Sequence, residues 1–377
     1  VLLWGPRDEC PDENGMRLRD SQCGLFATGK VLRRFGIPFT YLKNCNLEDE
    51  CFAEGIDRFL RVCNVVKAFR NTRVLQISTR PFDFWSTMCN EGELLEKFGI
   101  QLSPIPMPEL TQAMKDVKEN SPEEIKEVTD YCREKMCIKV TPEQLDNVAA
   151  LKIAMTRLGK KYGCNCGAIQ CWNALQDEIG IMPCAANALC NDEGFPIACE
   201  TDIHGTITSV LVEAAAMGET RSFFADWTVR HPYNDNAELL QHCGPWPISI
   251  AKEKPTIDTP VAFDCSGSLM AQAKDGEHIS LVRFDGDNGE YSLLLGNAKT
   301  VDGPYTKGTY MWVEVENLDR LEDKLVQGPY IHHCVGVHQD VVPVLYEACK
   351  YIGVTPDLYD PIEEKVKAII RGEKVEK

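Results

Sequence analysis

The chain reads as an α/β protein in which a mainly parallel sheet covered by helices gives way to antiparallel β structure. Three observations predict this. Strand-like and helix-like segments alternate through the first half. After about residue 216 the segments become short alternating runs. Within that part, HISLVRFDGDNGEYSLLLGNAKTV contains Asp-Gly and Asn-Gly between two such runs, a strong hairpin signal. The 377 residues exceed what one hydrophobic core usually holds, so more than one domain is expected.

Taken in order, VLLWGPRDE opens as a buried strand running into a loop. SQCGLFATGKVLRRFG has apolar residues at roughly helical spacing and stops at Gly36, after which IPFTYL reads as a strand. RVLQIS, from Arg73, begins the next strand, and EGELLEKFG followed by IQLSPIP repeats the junction: Phe35-Gly36-Ile37 recurs as Phe98-Gly99-Ile100. One strand and one helix before Arg73 are too few for a doubly wound sheet. Residues 1–70 are therefore expected to be the remnant of a domain whose first part is missing from this chain. Ser121-Pro122-Glu123-Glu124 and Thr141-Pro142-Glu143-Gln144 each place a hydroxyl at the N-cap, Pro at N1 and Glu or Gln at N3, two helix starts. GTYMWVEVENL is a further strand, DVVPVLYEACKYIG an amphipathic helix, and EEKVKAIIRGEKVEK a charged, solvated tail. The division expected is 1–70, a second α/β domain over 71–215, and an antiparallel domain with a terminal helix over 216–377.

Charge and composition exclude several classes of function. Fifty-seven Asp and Glu against 40 Lys and Arg give a net charge of −17, which repels nucleic acid and anionic membrane surfaces. No apolar stretch is long enough for a membrane span, and no export signal opens the chain. Eighteen scattered cysteines without paired spacing read as reduced thiols of a cytoplasmic protein. Cys164, Cys166 and Cys171 lack zinc-ribbon spacing and read as packing. The GxxxxGK match at Gly24 to Lys30 lacks a preceding strand, and Val31 stands where a Ser or Thr would hold Mg²⁺, so an ordinary helix is expected.

Chemistry concentrates after Gly194. In GFPIACETDIHG, the run Phe195 to Cys199 forms a buried strand that delivers Glu200 and Asp202 to its carboxyl end, where α/β proteins place ligands. SFFA delivers Asp226 in the same manner, and His231 and His242 follow. IHHCVGVH then sets His332, His333 and His338 in an apolar stretch. Carboxylates with imidazoles suit Mn²⁺, Fe²⁺ or Co²⁺ better than zinc held by thiolates. Each residue alone also fits a structural role, since a buried His is commonly a satisfied core residue and Glu200 could cap the helix near Gly205. Their joint occurrence at strand ends favours a metal centre.

ACETDIHG, FFADWT and HHCVGVH, in this order and approximate spacing, resemble the L-arabinose and L-fucose isomerase superfamily of metal-dependent aldose-ketose isomerases. The resemblance extends from Arg73 to the C-terminus, and residues 1–69 resemble the end of the family's first domain. It implies Rossmann-like first and second domains, a β-barrel-like third, and active sites between subunits of a homotrimer or homohexamer. It further implies that Glu200 and Asp226 are both metal ligands and the acid-base pair, with His333, and His242 by its spacing from Asp226, as further ligands to Mn²⁺ or a similar cation such as Co²⁺ or Fe²⁺. The second carboxylate is Asp, as in fucose isomerases, whereas the paired histidines are those of arabinose isomerases, so neither branch supplies the substrate.

The residues fit the chemistry independently. Moving a sugar carbonyl from C1 to C2 through a cis-enediolate needs proton transfer at both carbons, and a divalent cation to stabilise the charge on both oxygens. Trp172, Trp227 or Trp246 could stack on a sugar, and Arg7, Arg17, Arg19, Arg80 or Arg230 could receive a phosphate or sulfonate, although the net charge favours a neutral or 6-deoxy sugar over a 6-substituted anionic one. A metal-dependent hydrolase and a non-catalytic sugar-binding protein remain the alternatives.

Overall fold

The computed structural model describes residues 1–260 and 264–374, so the last three residues of the charged tail lie outside the described residues. The chain is mixed α/β, with two parallel sheets and one large mixed sheet. β1 (Leu2–Leu3) and β2 (Thr40–Tyr41) pair in parallel. Both are shorter than their apolar runs suggest. GLFATGK lies inside the helix Ser21–Arg34, as its flanks indicate. The helix Glu50–Arg70, which the sequence reading passes over, buries Val62, Val65 and Phe69 in a core shared with the helices Ile203–Ala215 and Val342–Ile352.

The second parallel sheet contains β3 (Arg73–Ile77), β4 (Gln101–Ile105), β6 (Cys166–Ile169) and β7 (Ile197–Ala198), in the order β4-β3-β6-β7, while β5 (Cys137–Ile138) belongs elsewhere. Pro104 is tolerated because β4 is an edge strand. Of the two capping boxes, only the second forms: Thr141 and Gln144 satisfy each other's backbone N–H at the start of the helix Pro142–Tyr162. Ser121 instead also terminates the preceding helix, Met107–Asn120, and its Oγ accepts from Arg157 at 2.9 Å, so it does not cap the helix Pro122–Lys135.

The remaining strands are β8 (Phe223–Arg230), β9 (Ala237–His242), β10 (Thr256–Asp258), β11 (Ser268–Gln272), β12 (Ile279–Asp287), β13 (Glu290–Val301), β14 (Thr309–Glu314), β15 (His333–Val337) and β16 (Thr355–Asp360). They form a ten-stranded sheet with β5, which pairs with β10. Within it β13, β12, β15, β8, β9 and β14 follow one another in antiparallel ladders, and β14 pairs again with β13, so the hydrogen bonding returns on itself. The β12–β13 hairpin turns at Asn288-Gly289, whose φ values of 48° and 82° are those a two-residue primed turn requires. Asp285-Gly286, the other hairpin signal, lies within β12 instead, because the Asp285 side chain is held by Arg283.

Candidate active site

β7 ends at Ala198, and Glu200 follows in the tight connection to the helix Ile203–Ala215. Glu200 and Thr201 both adopt left-handed backbone, with φ of 51° and 52°, a conformation that costs roughly 1–2 kcal/mol per non-glycine residue. Local bonds hold it: Thr201 N–H donates to Ile169 O at 3.0 Å, and Thr201 Oγ1 to Thr79 O at 3.0 Å. The helix begins against β8 because position 205 is Gly; a Cβ there would lie 2.5 Å from the Phe224 ring and 2.7 Å from Asp202 Oδ2.

Asp226 on β8, His242 at the end of β9 and His333 at the start of β15 meet Glu200 at this junction. His242 Nε2 lies 3.4 Å from Glu200 Oε2 and 3.9 Å from Asp226 Oδ1, and His333 Nε2 lies 3.5 Å from Asp226 Oδ1. The Phe224 ring packs against both imidazoles, with centroids 5.2 and 4.8 Å away. The Glu200, His242 and His333 side chains are at most 5% exposed, whereas Asp226 is 26% exposed and forms the open side. Glu200, Asp226, His242 and His333, all singled out from the sequence, thus come together.

Glu200 Oε1 accepts from the Cys171 thiol at 3.2 Å and the Trp172 indole at 3.3 Å. Glu200 Oε2 and Asp226 Oδ1 are buried without a hydrogen-bond partner. Two carboxylate oxygens left so beside imidazoles are the donors expected around a hard or borderline divalent cation, and the residues present fit one. Cys171 and Cys199 lie near Glu200; burial holds the Cys171 thiol well above its usual range, and Cys199 is raised to about 12, its hydrogen bond with Cys171 opposing burial. Burial alone would raise Glu200, yet the charge and proximity of His242, then the charge of His333 and the Cys171 thiol, bring it down to about 2. Burial alone would lower His242, and the charges of Asp226 and Glu200 raise it to about 9.

The two imidazoles are prepared differently. His333 Nδ1 faces Asp202 Oδ2 at 2.8 Å, so a hydrogen on Nδ1 donates to that carboxylate and leaves the Nε2 lone pair toward Asp226. His242 Nδ1 instead accepts the Cys243 N–H at 2.9 Å, so the ring's hydrogen sits on Nε2, which lies 3.4 Å from Glu200 Oε2 without making a hydrogen bond to it. To hold an ion at Nε2, His242 must give up the Cys243 contact.

Asp202 is therefore not a ligand in this arrangement. It caps the helix through Gly205 N–H at 2.9 Å, receives His333, and is paired with the guanidinium of Arg283, whose Nη2 donates to Oδ1 at 3.1 Å. Arg283 Nε donates to Asp285 Oδ2 at 3.0 Å, and Asp285 Oδ1 meets His204 Nδ1 at 2.9 Å. Burial works against the charge of Arg283, but Asp202 and Asp285 raise its pKa; burial works against Asp202, and Arg283 and His333 lower it. Sequence reading missed Arg283, Asp285 and His204. The available signal was Arg283 and Asp285 at alternate positions on the face of β12 that also carries Ile279 and Leu281.

Of the other candidates, His332 and Trp172 adjoin the site and the rest lie elsewhere. His338 donates to Lys274 O at 2.9 Å and His231 to Asp302 O at 3.0 Å, each tied to a remote carbonyl. His332 is exposed at the mouth, its ring against His333. Trp246 is a core residue donating to Phe224 O, Trp227 is buried, and Trp172 adjoins Glu200. Arg17, Arg19 and Arg230 are engaged by Asp20, Glu9 and Glu322, whereas Arg80 sits on the loop beside Thr201.

A model of the fucose/sulfoquinovose isomerase N-terminal domain matches residues 1–70. The chain is 25% identical over 366 residues to the sulfoquinovose isomerase of Priestia aryabhattai, covering 95% of this chain and 80% of that protein. It is 25% identical over the same length to that of Priestia megaterium, and 24% identical over 352 residues to that of Alkalicoccus urumqiensis, covering 92% of this chain and 77% of that protein.

Proposed function

We propose that this chain, which its similarities place in the L-fucose and L-arabinose isomerase superfamily as a sugar aldose-ketose isomerase, works with a divalent cation held by Glu200, Asp226 and His333, and uses Glu200 and Asp226 to move protons. The observation that carries this reading is the pair of buried, unpartnered oxygens, Glu200 Oε2 and Asp226 Oδ1, beside imidazole nitrogens. Manganese is the reading for the cation, with cobalt or iron compatible with the same donors. When bound, such an ion supplies Lewis acidity toward the sugar oxygens and offsets the charge of the enediolate.

The chain's own groups divide the remaining work. Glu200 has Oε1 held by Cys171 and Trp172, which keeps its carboxylate at a constant position while it exchanges a proton with substrate. Asp226, at 26% exposure, exchanges protons on the side open to substrate and solvent. Asp202 keeps the His333 ring in one orientation throughout. The buried Phe224 ring closes one side of the site and shields the charged intermediate from stray protonation there.

The relatives are named for a sulfonated sugar, and this moves the substrate reading from a neutral or 6-deoxy sugar toward a hexose with an anionic 6-substituent. Net charge acts at long range, whereas one correctly placed cation decides local recognition. A homotrimer or homohexamer with sites between subunits fits the exposed Phe82 and Trp85 on the loop beside Glu200. All eighteen cysteines are free, which fits a reducing cytoplasm. No helix among the described residues is long and apolar enough to cross a membrane.

The test is to incubate the protein with Mn²⁺ and sulfoquinovose, L-fucose or L-arabinose in D₂O and follow product by NMR. The expected result is the corresponding ketose, with solvent deuterium entering at C1 when exchange outpaces transfer. Bond cleavage without ketose would assign a hydrolase instead. Binding without turnover would assign a sugar-binding protein.

A further inference from the structure

We propose that Arg80 determines specificity by receiving a tetrahedral oxyanion, sulfonate or phosphate, carried on the sugar at the end away from the reacting carbons; this rests on the isomerase reading above.

The chain leaves β3 at Ile77 and turns through Ser78, whose φ is 65° and whose Oγ donates to Gln170 Oε1 at 2.7 Å. The following loop is tied to the site at both ends. Thr79 O accepts from Thr201 Oγ1 at 3.0 Å, and Thr87 Oγ1 reaches Glu200 O at 3.5 Å. Between them Phe84 packs edge-on against Trp172, 5.1 Å between centroids, and Trp172 donates to Glu200 Oε1. Arg80 is one residue beyond the Thr79 anchor, on the loop that these contacts tie to Glu200 and Thr201.

Its guanidinium is held without being neutralised. Cζ lies 4.7 Å above the Trp85 ring, and Nη1 donates to Phe82 O at 3.0 Å. No carboxylate of a described residue pairs with it, in a chain of 57 acids and 40 Lys and Arg where Arg61, Arg157, Arg230 and Arg283 all have such partners. Trp85 remains 65% exposed, so the stack fixes the plane of the guanidinium and does little to bury the indole. A fork whose plane is set in advance, with Nε and Nη2 uncommitted, loses little freedom on taking two oxygens of one oxyanion. Lys would provide charge at that position without the fork or the stack.

The experiment compares wild type, Arg80→Met and Arg80→Lys, each loaded with Mn²⁺. It measures kcat/KM for sulfoquinovose, glucose 6-phosphate and 6-deoxyglucose, and direct binding of the same sugars by calorimetry. In Arg80→Met the loss on the two anionic sugars should exceed the loss on 6-deoxyglucose by about 10- to 100-fold, chiefly in KM, with Arg80→Lys intermediate. Equal losses on anionic and neutral sugars would reduce Arg80 to a brace for the loop and overturn the proposal. Calorimetry keeps the two readings apart. A selective loss of anion binding with no wild-type isomerisation would sink the isomerase and leave Arg80 standing, whereas normal isomerisation without selectivity would do the reverse.

Discussion

Asp226 and His333 stand directly opposite each other in the antiparallel ladder of β8 and β15, and the same His333 ring meets Asp202 through its other nitrogen at 2.8 Å. Opposed residues in such a ladder project to the same face, so backbone pairing by itself sets their approach. The buried Asp202–Arg283–Asp285–His204 chain then fixes the ring from behind.

Proton transfer and metal holding separate by mutation. Glu200→Gln and Asp226→Asn should remain about 10²- to 10⁴-fold slow at saturating Mn²⁺, because an amide cannot take the proton. His333→Ala should regain much of its rate as Mn²⁺ is raised. Rate against Mn²⁺ concentration measures this, and near-complete recovery of either carboxylate variant removes that residue from proton transfer.

The two histidines should contribute unequally to metal affinity. His333 has its lone pair directed inward by Asp202, whereas His242 must first surrender the Cys243 amide. Calorimetric titration with Mn²⁺ should therefore find a larger loss for His333→Ala than for His242→Ala. The reverse order would mean that the His242 ring turns on binding.

Asp202→Asn should weaken Mn²⁺ binding by about 10- to 100-fold, since an amide N–H facing His333 Nδ1 favours the wrong tautomer. Arg283→Met should act on the fold, because it strands Asp202 and Asp285 in the interior; the cost expected is about 3–5 kcal/mol. Urea unfolding of both variants beside the metal titration distinguishes the two effects. A stable Arg283→Met with normal affinity would show that the carboxylates find other partners.

Stability should fall as pH rises from the acid side because of Glu238. Burial, then the neighbouring Glu322, raises its carboxyl from 4.5 to about 7. The folded state thus holds a proton that the unfolded chain releases, so this contribution is full below about pH 4.5 and lost as pH rises through about 7. Glu238→Gln should remove the effect, and its advantage over wild type in urea midpoint should grow between pH 5 and 7 and then level off. A constant difference across that range would contradict the assignment.

Much of this was legible in the sequence because apolar strands ending in carboxylates are costly unless used. Glu200 and Asp226 were found on that ground, and Asn288-Gly289 by its turn chemistry. What escaped depends on contacts distant in sequence. Asp202 looks like Glu200 in a one-dimensional reading, yet three-dimensional pairing with Arg283 and His333 gives it a supporting part. Ser121 carries the same helix-start signal as Thr141, but Arg157, 36 residues away, takes its hydroxyl. His338 and His231 were indistinguishable from His242 until strand pairing oriented them.

The ladder that brings β15 to β8 also joins distant parts of the chain. Asp202 and His333 are separated by 131 residues, and Glu200 is delivered by a different sheet from the one carrying Asp226, His242 and His333. Closing so long a span costs chain entropy, so the donors are held together by the completed strand pairing and by no local segment. On the proposed reading the donors of the ion come together only in the folded chain, so metal content in a preparation should count the molecules that have finished folding.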